Sequence, residues 1–508
     1  MKYIKNIRQT MILLLPVLFA ASCADWLDGA LPKDKNLEEK QFSTEAGINS
    51  VLNGIYRGLA SDNLYGGRLT MTDMELLAHY YFYERDISLE AYNGYTRFYN
   101  MSNYNYDDKA IRDGFSSVWS AAYQSIYNIN TFIENVSNSE ALPENKKNVL
   151  LGESYGLRAF LHFDLFRIFG DENNGIPYNR STDVVPHDIE TVENFYTILM
   201  QDMDMAIKLL QNDPITTDTI NDLASIGAKD NVPSSEIFAS YLRNYRLNYY
   251  AAQALKARIL MYRGDVLEAA ALAANVLSSA FGDEKPFNWA DKNRIIYPDN
   301  RNYIFYSEIM FGIFNPDLYK NWESWTNGTK LGSTYTVHIN NLQGNIFKND
   351  NATGNISLWE DVRALQWVSS KIGGGQYISC KFEHFSFSKN NPKEYFQPLI
   401  RTAELHFIIA EALTREGRFT EAMDLLNYFR FMRGSQYGSL PTPESATETA
   451  LYDILETEYY KEFYGEGQTF FYLKRRKSNK IFRDDVEGKI SIDAWNYVVP
   501  LPENEISN

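Results

Sequence analysis

The sequence predicts a mainly α-helical protein: a tetratricopeptide-like helical-repeat scaffold with large loop-rich insertions that carry a few short strands. Three observations point there. Apolar residues recur at three- and four-residue steps through long stretches, the spacing of one helix face. Two helix pairs, far apart in the chain, repeat the same small residues and glycines at the same positions. The aromatic content is 15%, led by 36 Tyr, and it is densest in Asn- and Gly-rich stretches without helical periodicity.

Lys2, Lys5 and Arg8 open the chain as a basic segment without an acid, and an apolar run follows from Met11 to Ala21. That run is shorter than the about 20 residues a membrane-spanning helix needs, and it contains Pro16. Ala20, Ala21 and Ser22 then lead into Cys23, an arrangement that resembles a bacterial lipoprotein signal in which the thiol is acylated before cleavage. Residues 1–22 are therefore expected to be a signal peptide and Cys23 the lipidation site. Loss of residues 1–22 removes three cations and no anion, which takes the formal charge from −16 to −19. Residues 23–40, rich in Asp, Glu and Lys, read as a hydrated tether, and 41–508 as a single domain. With Cys23 acylated, Cys380 is the remaining thiol, so an internal disulfide is not expected.

Within the domain, Phe115, Val118, Trp119, Ala122, Ile126, Ile129, Ile133 and Val136 mark the first long helix. Leu150–Phe169 follows, with Gly170-Asp171 ending it, then Asn194–Leu210, Tyr249–Tyr262 and Val266–Ala280. After a long gap come Leu399–Arg415, Phe419–Phe431 and Leu451–Phe463. Helical repeats thus occupy about 115–280 and 399–463. Ala257, Leu260, Gly264, Glu268 and Ala269 in one pair correspond to Ala410, Leu413, Gly417, Glu421 and Ala422 in the other. Small residues let paired helices approach, and the glycines supply the tight turn between them, as in tetratricopeptide repeats. The insertions cover about 62–110, with Tyr80, Tyr81, Tyr83, Tyr92, Tyr95, Tyr99, Tyr104 and Tyr106, and about 282–398, with extended runs expected at Tyr303–Tyr306 and Ile309–Ile313.

Little of the sequence points to catalysis. A net charge of −16 argues against a nucleic-acid surface. The six histidines form no metal-spaced pair, and Gly373-Gly374-Gly375 lacks the residues of a phosphate-binding loop; no metal or cofactor is expected. Gly152-Glu153-Ser154-Tyr155-Gly156 matches the Gly-x-Ser-x-Gly of hydrolases, but it falls inside a predicted helix and lacks the strand–turn–helix setting. The run Lys474-Arg475-Arg476-Lys477 reads as a solvated helix C-terminus. Asn-rich loops bearing flat rings suit sugar recognition, since rings stack on a pyranose while amides bond its hydroxyls. A secreted polysaccharide hydrolase on a helical scaffold and a repeat-based protein-binding adaptor are the competing readings.

The ordered motifs resemble the SusD/RagB family of outer-membrane lipoproteins of the Bacteroidetes. They are Cys23-Ala24-Asp25-Trp26-Leu27-Asp28, Phe42-Ser43-Thr44-Glu45-Ala46 and Asn53-Gly54-Ile55-Tyr56, then Arg158-Ala159-Phe160 through Phe169-Gly170-Asp171 with Ile176-Pro177. Glu462-Phe463, Glu466-Gly467, Leu473-Lys474-Arg475 and Pro500-Leu501-Pro502-Glu503 continue the series. Thr469 and Tyr472 stand where the family usually has Arg and Asp, so an internal ion pair is expected to have been replaced. The resemblance implies a non-catalytic, surface-exposed protein that captures glycans (peptides in some members) and delivers them to a SusC-like TonB-dependent transporter. On that reading the repeat helices face the transporter, and the insertions hold ligand through Tyr92, Tyr95, Tyr99, Trp322 and Trp325 as stacking rings and Asn93 and Asn321 as hydrogen-bonding partners.

Overall fold

Every helix expected from periodicity forms, and side-chain caps at Asp108, Thr191, Asn248 and Thr447 set the start of four of them. The computed structural model describes residues 40–81, 93–183, 185, 187–216, 243–295, 302–326, 336–347, 361–369, 375–383, 395–435, 441–483 and 488–506. The expected signal peptide, Cys23 and the expected tether up to residue 39 lie outside the described residues.

Helix α1 (Glu45–Leu59) starts where the Thr44 hydroxyl accepts from the Gly47 N–H at 3.1 Å. Two short helices, α2 (Asp73–Leu77) and α3 (Asn93–Ser102), fall in the first insertion. Helix α4 (Lys109–Asn138) begins earlier than its apolar stripe, because Asp108 accepts from the N–H groups of Ala110 and Ile111. Helices α5 (Glu144–Phe169), α6 (Val192–Leu209), α7 (Tyr249–Arg263) and α8 (Val266–Ala280) follow in antiparallel succession, each packed on the last. Beyond the second insertion, with its helix α9 (Leu318–Thr326), come α10 (Thr402–Arg415), α11 (Phe419–Met432), α12 (Glu448–Glu462) and α13 (Gln468–Arg475). Helix α10 packs on both α7 and α8, so the two sequence-matched pairs are neighbours in space. Their turn glycines take left-handed φ values, +105° at Gly264 and +73° at Gly417, which a side chain would oppose.

The strands differ from expectation in two places. Ile309–Phe314 (β1) is a strand, but Tyr303–Tyr306 is not: Phe305 takes φ 51° and a 3-10 turn runs Tyr306–Glu308. Residues 399–401, expected to open a helix, end the strand Phe396–Arg401, which pairs antiparallel with β1. Pro398 and that pairing hold the segment extended, and the helix starts at Thr402.

Helix α5 is the centre of the molecule. From Leu150 to Phe169 nearly every side chain is buried, because α4, α6 and α7 surround it. Its most deeply buried charges and its histidine are paired within the fold. Arg158 donates to both oxygens of Asp202 at 2.7 and 2.8 Å, and Glu153 accepts from Arg243 and Arg246. His162 donates from Nδ1 to the Arg158 carbonyl and accepts at Nε2 from the Asn179 N–H, while its ring stacks on Tyr178 at 3.8 Å. Burial pushes His162 down to about 3. Ser154 is fully buried within this helix and its hydroxyl donates to the Leu150 carbonyl, so Gly152–Gly156 is helix interior rather than a nucleophile elbow.

A second buried charge network joins the repeat helices to the strands. Glu462, at the end of α12, receives the guanidinium groups of Arg363, Arg401 and Arg433 on its two oxygens, and none of the four residues is more than 1% exposed. Arg433 also binds both oxygens of Glu308 at 2.8 and 2.6 Å, and Arg401 binds Glu466. Burial pushes the Glu462 carboxyl up, but Arg433, Arg401 and Arg363 outweigh it and hold the group well below the usual range.

Candidate functional site

Helix α9 stands against the first insertion through one flank. Leu318, Trp322 and Thr326 recur at four-residue steps and turn inward. Trp322 is 7% exposed, its Nε1–H donates to the Ser379 carbonyl at 2.7 Å, and Tyr319 stacks against it. It is a packing residue here and presents no free face, because the indole fills the small core beneath α9. One position back on the helix, Asn321 and Trp325 lie on the flank that meets residues 62–67. The Asn321 amide donates to Asp62 Oδ1 at 2.7 Å and to the Gly66 carbonyl at 3.3 Å. Trp325 lies against Gly67 so closely that a Cβ there would sit 3.2 Å from Cζ2. Asn321 and Trp325 both remain partly exposed, and Asp62 is exposed beside them.

The loop continues this surface toward α3. Arg68 donates to Asn63 Oδ1 at 3.2 Å and to Asp73 Oδ2 at 2.9 Å, and Arg97 of α3 binds the other oxygen of Asp73. Asp73 is fully buried; burial raises its carboxyl pKa, but Arg97 and Arg68 outweigh that and hold it low. A continuous polar path therefore runs from Asn321 through the 62–68 loop to α3. Of the ring candidates on α3, Tyr99 is half-buried and Tyr95 lies in the helix's first turn with Asn93 at its start; Tyr92 lies outside the described residues. Asp62, Asn63, Arg68 and Arg97 were not singled out from the sequence; position in an Asn/Gly-rich insertion was the only signal they carried.

Four of the first insertion's tyrosines have another role. Tyr80, Tyr81, Tyr104 and Tyr106 are buried, and their hydroxyls donate to the carbonyls of Tyr460, Met71, Leu77 and Asn496 respectively. An irregular backbone leaves carbonyls that no helix or sheet partner satisfies, and tyrosine brings a donor and an apolar ring together. Among the described residues, no group of three or more His, Cys, Asp or Glu is placed to hold a metal ion.

Comparison with known proteins gives this surface its context. Residues 25–226 match the family described as starch-binding and associating with the outer membrane, and residues 318–508 match the SusD family. The chain belongs to the SusD/RagB family. A SusD-like protein P2 of Formosa agariphila is 24% identical over 99% of this chain and 97% of its own. The fold is shared with a SusD superfamily protein of Bacteroides thetaiotaomicron (TM-score 0.68, 20% identity, 91% and 98% of the two chains). It is also shared with surface glycan-binding protein A of Bacteroides fluxus (TM-score 0.58, 18% identity, 92% and 97%).

Two sequence features of this SusD/RagB chain can now be placed. Thr469 accepts or donates a hydrogen bond with the Tyr80 hydroxyl at 3.1 Å, and Tyr472 stacks on Tyr459 at 3.9 Å, both buried. The cation run is not a solvated helix end. Lys474 is buried and its Nζ donates to the carbonyls of Arg167, Ile168 and Gly170, so it caps the C-terminus of α5 rather than of its own helix. Arg475 binds both oxygens of Glu411, and Arg476 lies over the Tyr452 ring at 3.5 Å; only Lys477 is exposed. Among the described residues no helix is long and apolar enough to cross a membrane.

Proposed function

We propose that this protein is a non-catalytic, cell-surface lipoprotein that captures a glycan or other oligomeric nutrient and delivers it to a SusC-like TonB-dependent transporter. The observation that carries the reading is the meeting of the two insertions: Asn321 and Trp325 on one side, and Asp62, Asn63 and Arg68 on the other. A partly exposed indole beside amide, carboxylate and guanidinium groups supplies a stacking surface and hydrogen-bonding partners for sugar hydroxyls. The SusD/RagB membership, a matching family described as starch-binding and a structural neighbour named a surface glycan-binding protein favour a glycan as ligand. Anchoring through Cys23 is supported by the signal-like N-terminus, and a domain facing the cell exterior by the family resemblance.

The test is retention on polysaccharide affinity gels. Trp325→Ala with Asn321→Ala should lose the retardation shown by the wild type while keeping its circular dichroism and melting temperature. Undiminished retardation would remove this surface as the site.

A further inference from the structure

Helices α5, α7, α10, α12 and α13 converge on a small pocket with about 20 Å³ of room, enough for one species the size of water or chloride. Its wall is rich in hydrogen-bond donors. Arg167 donates to Gln468 and Asp164, but its Nε–H has no protein acceptor. Arg258 donates through Nε and Nη2 to both oxygens of Glu404 and to the Leu399 carbonyl, and its Nη1 has none. Both arginines are more than nine-tenths buried, at 2% and 4% exposure. Tyr262, Tyr459 and Tyr472 also line the pocket, and their hydroxyls have no hydrogen-bond partner among the described residues.

Acceptors on the same wall are already committed. Both oxygens of Glu404 bind Arg258, and Gln468 Oε1 binds Arg167. Of the carboxylates just behind it, Asp164 takes Arg167 and the Tyr65 hydroxyl, and Glu411 takes Arg475 and Arg415. A lone water can donate to the tyrosine oxygens, but it offers only two lone pairs to the arginine N–H groups and tyrosine hydroxyls together, whereas an anion accepts from several donors at once. The wall carries three guanidinium groups, Arg167, Arg258 and Arg475, against one carboxylate, Glu404; Asp164 and Glu411 stand behind it, and because Glu411 is shared between Arg475 and Arg415 a small positive surplus remains, which suits a single negative charge and not a multivalent one.

We propose that this pocket binds a small monovalent inorganic anion of the chloride class, which fastens the repeat helices α7 and α10 to α13 and the central helix. The site is separate from the insertion surface and does not depend on the glycan reading. The probe is bromide. Crystals of the full chain soaked in sodium bromide should show an anomalous peak in this pocket, and the peak should be lost in the Tyr459→Phe/Tyr472→Phe variant, which keeps both rings. Melting temperature should rise with sodium bromide relative to sodium gluconate at equal ionic strength, and this difference should vanish in the variant. A wild-type map without a bromide peak in the pocket overturns the proposal, as does a peak that persists undiminished in the variant. If the variant does not fold, the wild-type map alone decides.

Discussion

Replacing Glu462 by glutamine removes the negative charge on which three buried guanidinium groups converge. In the wild type Oε1 accepts from Arg401 and Arg433, and Oε2 from Arg363 and Arg433, the last two bonds both at 2.9 Å. An amide keeps one acceptor oxygen and turns an NH₂ group toward the donors that the other oxygen served. At least two of the four bonds are lost, and an uncompensated positive charge is left in a site 0–1% exposed. Removing one partner of a buried ion pair costs about 3–5 kcal/mol, a large share of the roughly 5–15 kcal/mol that holds a typical protein folded. Urea denaturation followed by tryptophan fluorescence should show that loss as a lower midpoint with an unchanged slope. The difference should also depend on pH with a definite sign. Because the folded-state carboxyl is held below 4.5, its contribution is complete above that pH and fades as the pH falls through the folded value. The gap between wild type and Glu462→Gln should therefore close on acidification. A loss below about 1 kcal/mol at pH 7, the size expected of a solvent-exposed pair, would refute the picture of a dry, mutually dependent cluster.

His162 should make the protein acid-sensitive: unfolded it titrates near 6.5 and folded near 3, so stability should fall by about 1.4 kcal/mol per pH unit between those values. His162→Gln, measured by denaturant titration at several pH values, should flatten that slope. Burial pushes Glu75 up to about 8 although its Oε1 accepts the N–H groups of Gly465 and Gly467, so the wild type should lose stability to Glu75→Gln as pH rises from 4.5 to about 8, with no further divergence above. Lys474→Met should lower the melting temperature, because three carbonyls at the end of α5 lose their donor, whereas Lys477→Met at the exposed end of the same run should leave it unchanged.

The scaffold was legible in the sequence because its helices bury one stripe against a neighbour, and that stripe leaves a 3.6-residue imprint. Gly264 and Gly417 were legible for a similar reason, since left-handed turns between close helices favour one residue type. The ligand surface was much less so. Tyr80 and Tyr104 share their composition and loop context with Tyr99, yet the first two are interior donors to backbone carbonyls, and only the irregular chain path decides which is which. Trp322 and Trp325 are three residues apart and so about 60° apart around the helix, and which of the two faces the core depends on where α9 is docked. The cation run misled for the same reason: Lys474 answers a helix end some 300 residues earlier, at |i−j| of 304 to 307.

The carbonyl-seeking tyrosines also impose an order of events on the chain. Tyr80 reaches Tyr460 across 380 positions, Tyr106 reaches Asn496 across 390, and Glu75 takes the N–H of Gly467 across 392. The described parts of this stretch, residues 70–81 and 93–106, therefore cannot complete their interior until the last tenth of the polypeptide has been synthesised. Contacts of such separation close late and slowly. On the proposed reading of an exported chain, this delay keeps the N-terminal region from setting before translocation, and truncation near residue 455 should leave Tyr80, Tyr106 and Glu75 without these partners.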